Sequence, residues 1–164
     1  MHLLVRNNFL LTETKEFRCS IGKNGMTKNK IEGDFCTPIG EFKFEKIFYR
    51  EDKIKEASFL LPSEIISKND GWCDDPNSKY YNQHIKFPFD YSAEKLYRSD
   101  DLYDLILVIN YNTNPILRGK GSAIFLHIAK PQFEGTEGCI AVNKEDLITL
   151  AQRVDANSTI TIRN

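Results

Sequence analysis

Short β-rich segments separated by turn-forming residues fill the first half of this chain, and they constrain its fold more than any other feature. Residues 17–21 carry apolar side chains at odd positions and polar ones at even positions, which is the two-residue period of a half-buried strand. Cys19 is then a small core residue. Asn7 and Asn8 separate two further segments and tolerate the positive φ of a hairpin turn. Strands are predicted at residues 3–6, 9–12, 17–21 and 41–45.

Two later segments are almost entirely apolar. Residues 105–109 contain no polar side chain, and residues 123–128 contain only one, His127. Continuous apolar runs of this length are typical of strands that are covered on both faces. Residues 159–162 alternate again and predict a strand at the end of the chain.

One segment has the period of a helix. Apolar residues recur at i, i+3, i+4 and i+7 from Leu147, Asn143 is a suitable N-cap, and Glu145 and Asp146 suit the positive end. The fold class expected from these patterns is mainly β, a β-rich α+β domain with this late helix packed on a sheet and followed by a strand.

Two stretches are rich in turn formers and are predicted to be loops. Residues 22–40 combine several glycines with Pro38, and residues 70–82 are polar and aromatic. Trp72, Tyr80 and Tyr81 in the second stretch either line a groove or pack the loop, and the sequence leaves both interpretations open.

Length and charge exclude several classes of protein. A chain of 164 residues suits one domain, so we treat residues 1–164 as a single unit. The 22 Lys and Arg against 23 Asp and Glu lack the basic excess of a nucleic-acid-binding protein. No apolar run approaches the roughly 18 residues of a membrane span, and the first residues lack a signal-peptide pattern. We expect a monomer with neither nucleic-acid partners nor membrane insertion.

The cysteines and aspartates do not predict a metal site. The four cysteines form no C-x-x-C pair, and free thiols are the expectation, although sequence cannot decide pairing. Cys36 and Cys73 are taken as structural. Asp70, Asp74 and Asp75 fit no EF-hand spacing. No metal site is expected from these spacings.

A histidine and a cysteine joined by a short loop carry the catalytic potential of the sequence. His127 lies at the end of an apolar strand, and Cys139 follows a loop whose Pro131 and Gly135 suit a chain reversal. Neighbouring strands joined by this loop would bring the two side chains together. An adjacent imidazolium would then favour the thiolate, which is the nucleophilic form of cysteine.

Gly138 has a rationale of its own beside the cysteine. A residue without Cβ adopts unusual φ values and lets a substrate carbonyl approach. The N–H groups of Cys139 and Gly138 would then face a developing oxyanion. The spacing alone leaves a non-catalytic interpretation open, in which His127 is a hydrogen-bonded core residue and Cys139 a buried small one.

Several motifs occur together in a fixed order. G-S-A-I-F-L-H-I at residues 121–128 precedes T-E-G-C-I-A-V at residues 136–142. Upstream lie G-K-N-G, K-I-E-G-D, T-P-I-G and G-W-C-D-D-P, at residues 22–25, 30–34, 37–40 and 71–76. In this combination the chain resembles L,D-transpeptidase catalytic domains of the YkuD type, from about Gly22 to the C-terminus.

The resemblance implies a β-rich sandwich or barrel of mixed sheets and a two-step reaction on peptidoglycan stem peptides. Cys139 would attack the carbonyl that follows the L-centre of diaminopimelate in a donor tetrapeptide and expel the terminal D-alanine. His127 would move the proton, and the resemblance implies neither a metal nor an organic cofactor. An acceptor amine would resolve the thioester into a cross-link, or water would hydrolyse it. The resemblance also implies a location in the cell envelope, while the missing signal pattern leaves the cytoplasm open.

The chain departs from the family pattern at two positions. Many members have His where this chain has Glu137, and Arg where it has Ala141. A nearby carboxylate disfavours a thiolate unless it points away or pairs with His127. We hypothesise that Glu137 instead helps to bind the acceptor amine. Two alternatives to the transpeptidase remain open. One is an L,D-carboxypeptidase or cysteine hydrolase with the same pair, and the other is a non-catalytic module that binds wall peptides.

The remaining polar side chains receive simpler interpretations. His84 is interpreted as a surface or loop residue. Lys23, Lys28 and Lys30 either meet stem carboxylates or are solvated.

Overall fold

The computed structural model describes residues 1–55 and 58–164. In chain order the elements are β1 (His2–Arg6), β2 (Phe9–Leu11), β3 (Glu16–Ser20), β4 (Met26–Thr27), β5 (Thr37–Pro38), β6 (Gly40–Tyr49), β7 (Ser63–Ile65), β8 (Asp70–Cys73), β9 (His84–Lys86), β10 (Ala93–Lys95), β11 (Leu105–Ile109), β12 (Phe125–Ile128), β13 (Ile140–Val142), α1 (Lys144–Ala151) and β14 (Thr159–Ile162).

Most of the strands belong to one closed barrel. Its hydrogen-bonded order is β11-β12-β13-β3-β2-β1-β14-β6, and β6 pairs with β11 to complete the ring. The pairs β1–β14 and β12–β13 are parallel and the other pairs of the ring are antiparallel. The predicted mainly β fold of mixed strands, with one late helix followed by a strand, is confirmed.

The hairpin between β1 and β2 follows from its two turn residues. Asn7 and Asn8 have φ values of 51° and 63°, so both adopt the left-handed conformation that a two-residue hairpin turn needs. All of the strands predicted from the two-residue period are present. Cys19 is buried in the core, as its place in the alternation predicted.

The central strands separate two hydrophobic cores. In β11, Leu105, Leu107 and Ile109 pack inside the barrel, whereas Ile106 and Val108 pack in a second core on its outer face. The continuous apolar run therefore reflects a strand with two buried faces, as predicted. β12 repeats this arrangement. Its Leu126 and Ile128 face the barrel core, so Phe125 and His127 face the other side.

The helix α1 covers one side of the barrel core. The Oδ1 atom of Asn143 accepts a hydrogen bond from the Asp146 N–H at 2.9 Å, which satisfies one of the free donors at the helix start. Leu147, Leu150 and Ala151 are buried against the barrel. The predicted cap and apolar face are both present.

The loop prediction for residues 70–82 is wrong in its first part. Residues Asp70–Cys73 form β8, the central strand of a three-stranded sheet with β9 and β10. All four residues are buried, so the strand has no polar and apolar alternation to reveal it. Gly71 is a packing residue, because an added Cβ would lie 2.6 Å from the ring of Phe87.

The interpretation of His84 as a surface or loop residue is also wrong. His84 begins β9 and is half-buried, with Nε2 2.6 Å from Oδ1 of Asp70. Asp70 also accepts hydrogen bonds from the N–H and hydroxyl of Ser67 and pairs with Lys86. The aspartate is thus the buried centre of a polar cluster that ties β8 to β9.

Candidate active site

Adjacent parallel strands place Cys139 and His127 on the same face of the barrel wall. His127 pairs with Ala141 and Leu126 with Ile140, so the same register sets Cys139 beside Phe125. Side chains alternate along strands, and therefore Cys139, Ala141, Phe125 and His127 all point to the outer face. Strand geometry puts the Cα atoms of Cys139 and His127 about 8 Å apart on a diagonal, within reach of a thiol and an imidazole.

Both side chains line one cavity of about 370 Å³. Its wall combines Cys139, His127 and Tyr103 with charged residues that include Glu94, Arg98 and Glu137. Cys139 and His127 are each 7% exposed, so both are buried yet reach the cavity. A largely buried pocket with a few convergent polar groups is the form that ligand sites take.

The hydrogen bond of the His127 ring fixes its tautomer. Nδ1 lies 2.8 Å from the carbonyl oxygen of Ile128. Because a carbonyl only accepts hydrogen bonds, Nδ1 carries the hydrogen and Nε2 carries the lone pair. The ring of Tyr103 packs edge-on against this imidazole, with centroids 5.3 Å apart. His127 is therefore oriented as a proton acceptor through Nε2.

The thiol of Cys139 is bonded to backbone and not to the imidazole. Its Sγ donates to the carbonyl oxygen of Ala123 at 3.0 Å and accepts from the Phe125 N–H at 3.4 Å. Within residues 1–55 and 58–164 the structure contains no hydrogen bond between Cys139 and His127. The two groups share a cavity, and the thiol must rotate away from Ala123 to reach Nε2.

Burial keeps both members of the pair neutral. It raises the pKa of the Cys139 thiol well above its usual range, and the charge of Glu94 raises this pKa further. Burial also lowers the pKa of His127 to about 4. The thiolate and imidazolium pair anticipated from the sequence is therefore not the resting state. A reaction of the sulfur as a thiolate would need a base to take its proton.

Gly138 occupies a conformation and a space that only glycine suits. Its φ is 138°, and an added Cβ would lie 2.9 Å from the carbonyl oxygen of Cys36. Its N–H donates to the hydroxyl of Thr136 at 3.1 Å, so this donor is occupied in the resting structure. The same hydroxyl donates to the Cys139 carbonyl at 2.6 Å. Thr136 thus clamps the turn that presents the cysteine.

Residues in and next to the upstream motifs form hydrogen bonds with the backbone of this turn. Thr37 is fully buried, and its hydroxyl accepts from the Gly22 N–H at 2.8 Å and donates to the Cys139 carbonyl at 3.4 Å. The backbone of Thr136 bonds to Ile21 and Lys23 at 2.8 Å each. Residues that are distant in sequence therefore hold the backbone of Cys139 in place.

Lys30 is neither solvated nor free to meet a substrate carboxylate. It is buried and forms an ion pair with Asp34, the aspartate of the E-G-D motif. Asp34 also accepts from the N–H groups of Ile31 and Cys36, at 2.9 Å each. Against the effect of its partial burial, the Lys30 hydrogen bond holds the pKa of Asp34 below its usual range. The motif therefore has a structural role and stabilises the backbone next to Gly138.

Ala123, whose carbonyl accepts the thiol hydrogen bond, has a strained backbone and is fixed by a hydrogen bond of its own. Ala123 has a φ of 53°, which is rare for a residue with a side chain. Its N–H donates to Oδ1 of Asn82 at 3.0 Å, and the same oxygen accepts from Trp72 Nε1 at 2.9 Å. Asn82 in turn donates to the carbonyls of Tyr111 and Asn112. This buried amide therefore links three loops at the site.

None of the three aromatic residues singled out in the 70–82 segment lines the cavity that holds Cys139 and His127. Trp72 is buried and packs edge-on against Phe125, with centroids 5.1 Å apart. Tyr81 is buried and donates to Glu32 at 2.6 Å. Tyr80 is exposed at 43%. Trp72 and Tyr81 therefore support the site by packing.

Two residues of the cavity had no sequence signal. The local sequence around Glu94 and Tyr103 indicates no catalytic or binding role. Only the tertiary fold brings these two residues beside His127 and Cys139. Glu137, for which the sequence left open a pairing with His127 beside the hypothesis of acceptor binding, is exposed and lines the cavity.

The described residues contain neither a metal-binding cluster nor a membrane-spanning helix. In the part of the chain that the structure describes, no group of three His, Cys, Asp or Glu side chains is arranged to hold a metal ion. The same residues include no helix that is long and apolar enough to cross a bilayer. All four cysteines are free thiols.

Comparison with known proteins shows the family and the fold of this chain. The family model described as the L,D-transpeptidase catalytic domain, YkuD, matches residues 2–162. Among solved structures, the helical cell shape determining protein Pgp2 from Campylobacter jejuni is similar in fold, with a TM-score of 0.51 and 18% identity. That match covers 99% of this chain and 47% of the Pgp2 chain, so this chain spans about half the length of that protein. Curated proteins give no significant match. The chain belongs to the L,D-transpeptidase catalytic-domain family, YkuD.

Proposed function

We propose that this protein is a cysteine-dependent L,D-transpeptidase that acts on peptidoglycan stem peptides in the cell envelope. Cys139 attacks the carbonyl that follows the L-centre of diaminopimelate in a donor tetrapeptide and expels the terminal D-alanine. A side-chain amine of a second stem then resolves the thioester into a cross-link. Family membership supports the substrate class, and the cavity supports the assignment of Cys139 and His127.

One observation carries this proposal. His127 and Cys139 point into the same cavity from adjacent strands, and the Ile128 carbonyl leaves the lone pair of His127 on Nε2, the nitrogen not held by the backbone. A neutral imidazole beside a neutral thiol is the starting state for general-base catalysis.

The proton follows the bonds that form and break. As Sγ bonds to the substrate carbonyl carbon, Nε2 of His127 takes the thiol proton, and it then gives this proton to the leaving D-alanine amine. General acid and base catalysis of this kind contributes typically 10² to 10⁴-fold in rate. The acceptor amine, or water, reverses the sequence and restores the thiol.

The oxyanion is assigned to the backbone N–H of Cys139. The N–H of Gly138 is bonded to Thr136 in the resting state, so its use would require that hydrogen bond to open. One oxyanion donor is worth about 2.7 to 4 kcal/mol in the transition state. Gly138 serves the reaction by shape, since the missing Cβ leaves room for the turn.

Glu137 is proposed to bind the acceptor amine. It is exposed at the cavity, where its carboxylate can meet an incoming ammonium group. Replacing Glu137 with Gln should lower cross-linking more than D-alanine release. Equal rates of both reactions in wild type and variant would contradict this role.

Intact-mass labelling with a carbapenem tests the proposed nucleophile. The wild type should gain the mass of one carbapenem, and Cys139→Ala should gain none. Cys36→Ala is the matched control, because it removes a more accessible thiol and should leave the adduct intact. A wild type that forms no adduct would favour the non-catalytic binding module instead.

Product analysis then separates transfer from hydrolysis. Incubation with purified stem tetrapeptides should give peptide dimers and free D-alanine. Tripeptide and D-alanine without dimers would identify an L,D-carboxypeptidase that uses the same residues. Cell fractionation tests the location in the envelope.

A further inference from the structure

Glu94 lies in the cavity wall close to Cys139 and His127. It is the middle residue of β10, pairs with Trp72 of β8 and lines the cavity together with Cys139. The hydroxyl of Tyr103 donates to Oε1 of Glu94 at 2.6 Å. The ring of the same tyrosine packs against His127. The fold therefore holds this half-buried carboxyl group beside the reacting pair.

Three carboxylates of the cavity wall have no direct cationic partner in the described residues. Asp74, Glu94 and Glu137 line the cavity, and none of the three forms an ion pair with any of residues 1–55 or 58–164. Oδ1 of Asp74 is moreover buried without a hydrogen-bond partner among these residues. A buried, unsatisfied carboxylate oxygen is costly and marks a place where a partner from outside would bind favourably.

The cationic side chains of the cavity are engaged elsewhere. Arg98 forms two hydrogen bonds with the carboxylate of Asp100, and Lys130 pairs with Glu134 at 3.1 Å. Lys23 lies over the ring of Phe35, with Nζ 5.1 Å from its centroid. Among residues 1–55 and 58–164, therefore, no cation is in direct contact with the three carboxylates, and Arg98 acts on Glu94 only through its charge from a longer distance.

We propose that Glu94 is a specificity-determining residue that binds a substrate ammonium group beside Cys139. The ammonium group belongs to the side chain of the donor peptide, an identification that rests on the proposed function. The cation site itself rests only on the cavity, the Tyr103 contact and the unpaired carboxylates.

The proposal implies that the substrate helps to activate the nucleophile. The charge of Glu94 disfavours the anionic form of Cys139, so a bound ammonium group that neutralises this charge makes proton transfer to His127 easier. Burial raises the pKa of Glu94 to about 7, opposed by the Tyr103 hydrogen bond and Arg98 and assisted by Glu137 and Asp74. A bound cation would lower this pKa and keep Glu94 ionised.

Charged thiol reagents test the cation site without any enzymatic turnover. We would measure the modification rate of Cys139 by peptide mass mapping with cationic 2-aminoethyl methanethiosulfonate and with neutral methyl methanethiosulfonate. The ratio of cationic to neutral rate should fall by about tenfold in Glu94→Gln, the size of a partly screened charge interaction. Gln keeps an oxygen that accepts from Tyr103, so the fold is preserved.

Glu134→Gln is the matched control for this experiment. Glu134 lines the same cavity but is exposed and paired with Lys130, so its replacement should leave the rate ratio unchanged. An unchanged ratio in Glu94→Gln, or an equal fall in both variants, would overturn the proposal. Circular dichroism and the thermal midpoint verify that each variant is folded.

Donor peptides then connect the cation site to the substrate. A tetrapeptide with a free side-chain amine before its terminal D-alanine is compared with the same peptide acetylated on that amine. The wild type should prefer the free amine in kcat/KM by about tenfold, and Glu94→Gln should lose the preference. A preference that survives in Glu94→Gln contradicts the assignment to Glu94. A wild type that forms no carbapenem adduct would instead contradict the proposed function. The result with the thiol reagents would still support the cation site in that case.

Discussion

The sulfur of Cys139 donates to the carbonyl oxygen of Ala123 at 3.0 Å, and the backbone of Ala123 is held in turn by the side chain of Asn82. In the resting state the thiol is thus hydrogen-bonded to a strained residue, Ala123, whose φ is 53°. Its geometry depends on a buried amide that is far from the cysteine in sequence.

Replacing Asn82 with Ala should destabilise the protein and weaken acylation together. The Ala123 N–H and Trp72 Nε1 would both lose their acceptor, and unsatisfied buried donors cost about 1 to 3 kcal/mol each. Urea unfolding measures the loss, and carbapenem labelling measures acylation. Asn77→Ala, at an exposed position of the same loop, is the control. An Asn82 variant with wild-type stability would mean that water or a neighbour replaces the amide.

His127 should remain neutral down to about pH 4. Burial lowers its pKa to about 4 in the folded protein, so the imidazole is a base above that pH and becomes protonated only as the pH falls through it. The pH dependence of the histidine ring signals in NMR spectra measures this titration directly. The rate of Cys139 alkylation by iodoacetamide should fall near the same pH, because a protonated His127 no longer acts as a base. This rate is measured in Glu94→Gln, which lacks a nearby titrating group. An imidazolium at pH 7 would contradict the neutral pair.

Gly138→Ala should damage both folding and reactivity. The substitution adds a Cβ 2.9 Å from the Cys36 carbonyl and forces a side-chain-bearing residue to a φ of 138°, which costs about 1 to 3 kcal/mol in strain alone. Gly25→Ala is the matched control, because Gly25 has a φ of 85° and an added Cβ there meets nothing within 4 Å. The difference between the thermal midpoints of the two variants isolates the contact at the active site. Equal midpoints would show that the turn shifts to accept the methyl group.

Acid should weaken the cluster around Asp70 in a defined window. Although burial opposes it, hydrogen bonds from Lys86, Ser67 and His84 lower the pKa of Asp70 to about 2. A depressed carboxyl pKa contributes stability above the unfolded value of 3.8, and this stability is lost as the pH falls through about 2. The contribution is about 2 kcal/mol. Asp70→Asn should unfold with a flatter pH dependence between pH 4 and 2 in urea titrations. A wild-type slope in that variant would place the acid sensitivity elsewhere.

Sequence reasoning succeeded where local chemistry determines structure. The alternation of residues 17–21, the Asn7 and Asn8 turn and the Asn143 cap all act through neighbours in the chain. The motif order predicted the family, and strand alternation brought His127 and Cys139 to one face. These features need no knowledge of distant contacts.

The remaining features depend on tertiary contacts. β8 was missed because burial on both faces removes its alternation and because Gly71 is required by the ring of Phe87, not by a turn. The neutral state of the Cys139 and His127 pair follows from burial, which a sequence does not display. Glu94 and Tyr103 reach the site only through the second sheet and the loop before β11.

The two faces of β12 have a consequence for how this domain can change. Leu126 and Ile128 anchor the strand in the barrel interior, while His127 between them points outward. Deleting a single residue upstream within this strand would exchange the two faces and send the imidazole into the apolar interior. Length variation can therefore accumulate in the exposed connection that follows the strand, whereas β12 itself tolerates none. Homologous domains should differ in how they close the pocket and agree in the spacing that leads up to the histidine.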